Sequence, residues 1–175
     1  MKALLFGSIG TLAETSGLQH DCFNAAFAAH GLDWHCSMLE YRSLLKTAGG
    51  IARIETYARQ LDQSVDAAAI HATKSELFQQ RLETGVALRP GVATTIARCQ
   101  AAGTKVALVT TTSAANVRAI MAATGLSKRD FDLIVTRDDI QNPKPSPDAF
   151  QSALRLLALK PGDALAIEDN PDGYA

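Results

Sequence analysis

Two apolar patterns alternate along the second half of the chain. Short apolar runs at Lys105 to Val109, Phe131 to Val135 and Ala164 to Ile167 have the length and composition of buried strands. Between them, apolar residues return every three or four positions. Pro90-Gly91 opens a stretch with Val92, Ile96 and Cys99 on one face, stopped by Gly103. Ser113 is placed to cap a helix whose inner face carries Val117, Ile120, Met121 and Thr124, and Gly125 ends it. Ser146-Pro147 predicts a third helix start, with proline at the first helical position and Phe150, Ala153, Leu154 and Leu157 following at helical spacing. Strands alternating with helices of this length predict a parallel sheet covered on both faces.

The first half begins with one more strand-like run, Lys2 to Phe6, which breaks at Gly7-Ser8-Ile9-Gly10-Thr11-Leu12. From about residue 15 to 86 the pattern is helical throughout. Asp21 to His30, Met38 to Lys46, Arg53 to Leu61 and Ser64 to Leu82 read as helices, with no convincing strand among them. The predicted fold class is therefore α/β: a Rossmann-like parallel sheet core at 1–14 and 87–175, with a helical cap inserted at 15–86. The cap follows the first strand and is expected to lie over its end. In such open parallel sheets, ligands bind beyond the carboxyl ends of the strands.

Composition narrows the function classes. A chain of 175 residues with 47% hydrophobic and 20% charged residues is that of a soluble globular protein. Seventeen basic and 18 acidic residues leave a net charge of −1, which offers no attraction for nucleic acid or an anionic membrane. No apolar run reaches membrane-spanning length. Cys22, Cys36 and Cys99 are odd in number and far apart, fitting neither a metal site nor a disulfide framework. Reduced thiols and a cytoplasmic location are expected.

Four motifs fall at predicted strand ends or the loops beside them: the Gly7 to Leu12 segment, Thr110, Lys144 in Asn142-Pro143-Lys144-Pro145, and Glu168-Asp169. Singly, Lys144 is an ordinary loop lysine, Thr110 a strand-end residue and Glu168-Asp169 a solvated turn. In this order on these elements they resemble the haloacid dehalogenase (HAD) superfamily of phosphotransfer enzymes. Cap phrases such as Phe23-Asn24-Ala25-Ala26-Phe27, Gly31-Leu32-Asp33-Trp34 and Gly49-Gly50 further resemble the CbbY-type sugar-bisphosphate phosphatases, relatives of β-phosphoglucomutase and phosphoglycolate phosphatase. The resemblance implies a carboxylate nucleophile at the end of the first strand, a second carboxylate two residues on as acid and base, and magnesium as cofactor. It assigns phosphate binding to Thr110, Lys144, Gly10 and Thr11, and metal binding to Asp169 and Glu168. Arg53 is either a cap contact to a distal phosphate or a surface arginine. The family's cap histidine position is Gln19, which leaves His20 as a surface or half-buried residue.

The chain departs from the family pattern where the chemistry is. Gly7 and Ile9 stand where the two aspartates belong. Gly7 removes the nucleophile and a metal-binding carboxylate together, and Ile9 puts a branched alkyl group in a polar site. Ser8 is the nearest hydroxyl, but strand alternation points it away. Neither a dinucleotide fingerprint nor a nucleoside-triphosphate loop is present in this segment. Three readings follow: a degenerate enzyme with magnesium weakly bound or absent; a pseudophosphatase that still binds a phosphorylated small molecule through Thr110, Lys144 and the amides of residues 8–11; and an active magnesium-dependent phosphatase with an unrecognised nucleophile. The family's sequences also continue past the Glu-Asp motif with a covering helix and a further strand. The strand at Ala164 to Ile167 is accordingly expected to be an edge with Leu165 and Ile167 uncovered, a surface suited to self-association.

Overall fold

The computed structural model describes residues 1–7, 9–46, 49–169 and 173. Four strands, β1 (Ala3–Phe6), β2 (Lys105–Val109), β3 (Leu133–Val135) and β4 (Ala164–Ile167), form one parallel sheet in the order β3-β2-β1-β4. β1 pairs Ala3 with Lys105 on one side and with Ala164 on the other, and Phe6 with Leu108 and Ile167. The first strand thus lies between the second and the last, and the chain reverses its winding direction beside it.

Period-two alternation divides the sheet residues between two cores. Leu4, Phe6, Val106 and Leu108 face one layer, with Val92, Ile96 and Cys99 of α6 (Val92–Ala101) and Val117, Ile120 and Met121 of α7 (Ala114–Thr124). Ala3, Leu5, Ala107, Val109 and Val135 face the other, where Ala149 and Ala153 of α8 (Asp148–Leu156) pack. These alanines let α8 approach the sheet closely.

The N-terminal segment is helical: α1 (Ile9–Leu12), α2 (Ser16–Ala29), α3 (Met38–Leu44), α4 (Gly50–Gln60) and α5 (Ala67–Leu82). Phe23, Phe27, Trp34, Tyr41, Ile54, Tyr57 and Ile70 form a third apolar core inside this segment. Cys22 of α2 with Phe78 and Leu82 of α5 reach across into the sheet layer. Among the described residues, no helix is long and apolar enough to cross a membrane.

Element boundaries differ from the sequence expectation where side chains intervene. Pro147 occupies the N-cap of α8 rather than its first turn, because Asp148 reaches back to the Asn142 backbone N–H at 2.9 Å. β3 begins at Leu133 instead of Phe131. The Asp132 carboxylate accepts the Val106 N–H at 2.9 Å, replacing a ladder bond. α5 starts after Asp66, whose carboxylate accepts from the Ala69 N–H at 2.9 Å; Ser64 stays outside it. α4 begins three residues before Arg53, and α2 five before Asp21. The short turn α1 was not expected at all.

Candidate functional site

Because all four strands are parallel, their carboxyl ends lie together. β1 delivers Gly7 there, β2 delivers Thr110, and β4 delivers Glu168 and Asp169. Lys144 comes from the loop between β3 and α8 and is 5% exposed. Its ammonium donates to the Val109 carbonyl at 2.9 Å, to the Gly7 carbonyl and to Glu168 Oε1, and lies 4.4 Å from the centre of the Phe150 ring. An ammonium has three protons, and three oxygens take them. Lys144 therefore ties the ends of β1, β2 and β4 into one cluster.

Glu168 is also buried. Burial pushes its carboxyl above the usual range, opposed by Lys144; burial pushes Lys144 down, opposed by Glu168. Two glycines make room for this carboxyl group. A Cβ on Gly7 would come within 2.2 Å of Glu168 Oε1, and one on Gly173 within 2.2 Å of its Cδ. A Cβ on Gly10 would meet Asp169 Oδ2 at 1.6 Å. The carboxylates of the last motif thus press against backbone in the first motif, in the space where a side chain at residue 7 would begin.

Other expected site residues fall as follows. Thr110 is buried, and its Oγ1 accepts the Thr112 N–H at 3.1 Å. Thr11 is buried on α1. The Gly10 carbonyl accepts from Arg89 Nε at 2.6 Å, and the Arg89 N–H donates to Leu12 O at 2.8 Å, so the segment before α6 pins the first motif in place. Ile9 corrects the sequence reading: its side chain joins Leu12 and Cys22 in the apolar core and does not occupy a polar pocket. Its 5% exposure follows from the α1 turn, which rotates it inward. Ser8 and its amide lie outside the described residues.

Magnesium, which the HAD phosphatases generally use, is commonly held by one or two carboxylates together with substrate phosphate. Here the donor set does not fit it as arranged. Glu168 is engaged by a buried ammonium, Gly7 adds no carboxylate, and the described residues include no group of three His, Cys, Asp or Glu able to hold a metal ion.

The helical segment holds a polar chain that sequence reasoning missed. Lys74, 3% exposed, donates to Gln19 Oε1 at 2.9 Å, and Gln19 donates to Thr15 Oγ1 at 3.1 Å. Lys74 also lies over the rings of Phe23 and Phe78 at 4.9 and 4.8 Å. Burial, then the Arg53 charge, lowers its pKa from 10.5 to about 8. Burial, with Lys74 and Arg53 nearby, lowers His71 to about 4. Arg53 itself is half-buried and lines a small apolar cavity with Phe23, Tyr41, Ile54 and Tyr57. The available signal was Lys74 at four-residue spacing from Ile70 and Phe78, a charge on the apolar stripe of α5. His20 is half-buried, with Nε2 2.8 Å from the Cys36 carbonyl.

The sheet order, the strand-end cluster and the helices inserted after β1 are the arrangement of a phosphatase-type α/β hydrolase. The haloacid dehalogenase-like hydrolase profile matches residues 9–175, and the chain belongs to that family. Within it, the chain is 40% identical over 181 residues to Protein CbbY of Rhodobacter capsulatus, spanning all of this chain and 80% of that protein. It is 42% identical over 179 residues to Protein CbbY of Cereibacter sphaeroides, spanning 99% of this chain and 78% of that one. Crystal structures of CbbY from Rhodobacter sphaeroides, one with phosphate and one of a mutant with xylulose-1,5-bisphosphate, superpose at a TM-score of 0.90 with 41% identity. Each covers 99% of this chain and 80% of its own. The protein is thus a HAD-superfamily hydrolase relative of the CbbY type.

Proposed function

We propose that this chain is a catalytically impaired CbbY-type phosphatase that retains a pocket for a phosphorylated small molecule. One observation carries the reading: no side chain at residue 7 is available to attack phosphorus, and Glu168 takes up the space where one would begin. An aspartyl-phosphate cannot form without that carboxylate. Ile9, turned into the core, supplies no proton to a leaving group. The core at 1–14 and 87–175 and the cap at 15–86 belong to this reading. The cap's separate apolar core and its cationic Lys74 and Arg53 support it. Thr110, Thr11 and Gly10 are the proposed phosphate contacts, and Lys144, whose three protons go to protein oxygens, contributes its charge from beneath them. CbbY structures with phosphate and with a sugar bisphosphate support that ligand class. A reducing, cytoplasmic setting agrees with three buried free cysteines.

The test has two arms. Turnover of phosphate monoesters with added magnesium should not exceed background in protein free of contaminating phosphatase. Inorganic phosphate should raise the melting temperature, and Thr110→Val should reduce that rise. Position also favours one rival: Glu168 adjoins residue 7 and is the carboxylate placed to act as a nucleophile in its stead. Turnover abolished by Glu168→Gln would establish that rival and end the impaired reading.

A further inference from the structure

The misfit between the strand-end cluster and a divalent cation has a specific cause. We infer that the Lys144 ammonium serves as the site's resident cation, in the place where this family's sites use magnesium. Three oxygens surround Nζ: the Gly7 and Val109 carbonyls and Glu168 Oε1. Two come from the carboxyl ends of adjacent strands and one from a carboxylate that the sequence pattern assigns to metal binding. This is an all-oxygen set of the kind that hard cations take.

The charge balance also favours the lysine. In the family pattern three carboxylates converge here, one from the first strand and two from the last motif, and a doubly charged ion and the lysine together offset them. In this chain Gly7 removes one carboxylate, and Glu168 Oε1 lies 2.2 Å from where a Cβ at residue 7 would begin. Lys144 neutralises Glu168, and a doubly charged ion added beside that buried positive charge would have only the Asp169 carboxylate to offset it. The glycines at 7 and 173 belong to the same arrangement, since a Cβ at either position would displace Glu168 from Lys144. The inference rests on the impaired-site reading but not on phosphate binding, so its test leaves phosphate out.

Mn2+, which shares magnesium's preference for oxygen ligands, is titrated into the protein and followed by its electron paramagnetic resonance signal. The wild type should show no saturable binding up to about 10 mM, well above the roughly 0.1–1 mM range of weak divalent-cation sites. Saturable binding abolished by Asp169→Asn would overturn the inference. Binding unaffected by that change lies elsewhere on the surface and is consistent with it. Asp169 is exposed, so this variant tests the site without disturbing the core. Lys144→Met supplies the converse: with the ammonium gone, Glu168 and Asp169 should bind Mn2+, and Mn2+ should raise the variant's melting temperature. A folded Lys144→Met protein that binds no Mn2+ would show that the lysine is not what excludes the metal, and would also overturn the inference. Should that variant fail to fold, the wild-type and Asp169→Asn titrations decide. A protein that binds neither Mn2+ nor phosphate retains this inference and loses the proposed ligand.

Discussion

Gly7→Asp is the smallest change that probes the site. The new side chain would confront Glu168, whose Oε1 lies 2.2 Å from the Cβ position, and would place two carboxylates around one ammonium. Single substitution should destabilise the protein by about 1–3 kcal/mol and restore no turnover. Glu168→Ala in the same chain should recover part of that loss. In a denaturant-unfolding double-mutant cycle the coupling should fall at roughly 0.5–3 kcal/mol, as for residues in contact. Additive effects would mean that Glu168 does not occupy the space beside residue 7.

Lys74 gives a second residue-scale prediction. Its pKa falls from 10.5 to about 8, chiefly through burial. Below pH 8 both folded and unfolded chains hold the proton, and the folded state bears the full cost of the buried ammonium. Between about pH 8 and 10.5 the unfolded chain binds more protons, so stability rises with pH until the cost is gone. Lys74→Met should therefore be more stable than the wild type at pH 7. The gain is up to roughly 3 kcal/mol at about 1.4 kcal/mol per pKa unit, less what Gln19 loses with its partner. That gap should close toward pH 10.5 in urea titrations; a gap independent of pH would rule out this account. The sequence showed Thr110, Lys144, Glu168 and Asp169 as a set, because each falls at or beside a strand end. It did not show that Lys144 and Glu168 neutralise each other, since that depends on the volume freed at Gly7. It also hid Arg89, whose role lies in holding the Gly10 carbonyl from a distant part of the chain.

At the scale of elements, all four strands and the helices α6 and α7 were legible, because apolar runs and 3.6-residue periodicity separate them cleanly. Ser113 caps α7 by accepting the Asn116 N–H at 3.4 Å, and Gly125 ends it at a φ of 74°. Boundaries failed where a carboxylate replaced a backbone partner, as Asp132 does for Val106 and Asp66 for Ala69. α1 escaped notice because four residues are too few to show a period. β4 carries the element-scale prediction. It pairs with β1 on one side, ends the described sheet on the other, and leaves Leu165 53% and Ile167 38% exposed. An edge strand bearing apolar side chains is a template for pairing between chains. We expect the 175-residue chain to self-associate in sedimentation experiments, and Leu165→Lys with Ile167→Lys to shift it toward monomer. A wild-type chain that is monomeric across concentrations would exclude this role for β4.

At the scale of the whole molecule, strand–helix alternation predicted the parallel sheet, whereas its order, with β1 between β2 and β4, is what the family resemblance implies and periodicity alone does not fix. The third apolar core, confined to the helical segment, followed from the absence of strands between 15 and 86. The central place of β1 has a further consequence, which concerns time. Ala3 to Phe6 leave the ribosome before either strand that pairs with them exists, since one partner begins at Lys105 and the other at Ala164. At about 5–20 residues per second, β1 waits roughly ten to thirty seconds for its second neighbour. Helices α2–α5 can meanwhile gather their own core from local contacts, which form faster than pairings distant in sequence. A released chain ending near residue 104 should therefore protect the helical segment from protease while leaving residues 1–14 open to cleavage; equal protection of both would refute this order. A strand flanked on both sides in the folded sheet thus spends much of its synthesis with neither neighbour to cover its backbone.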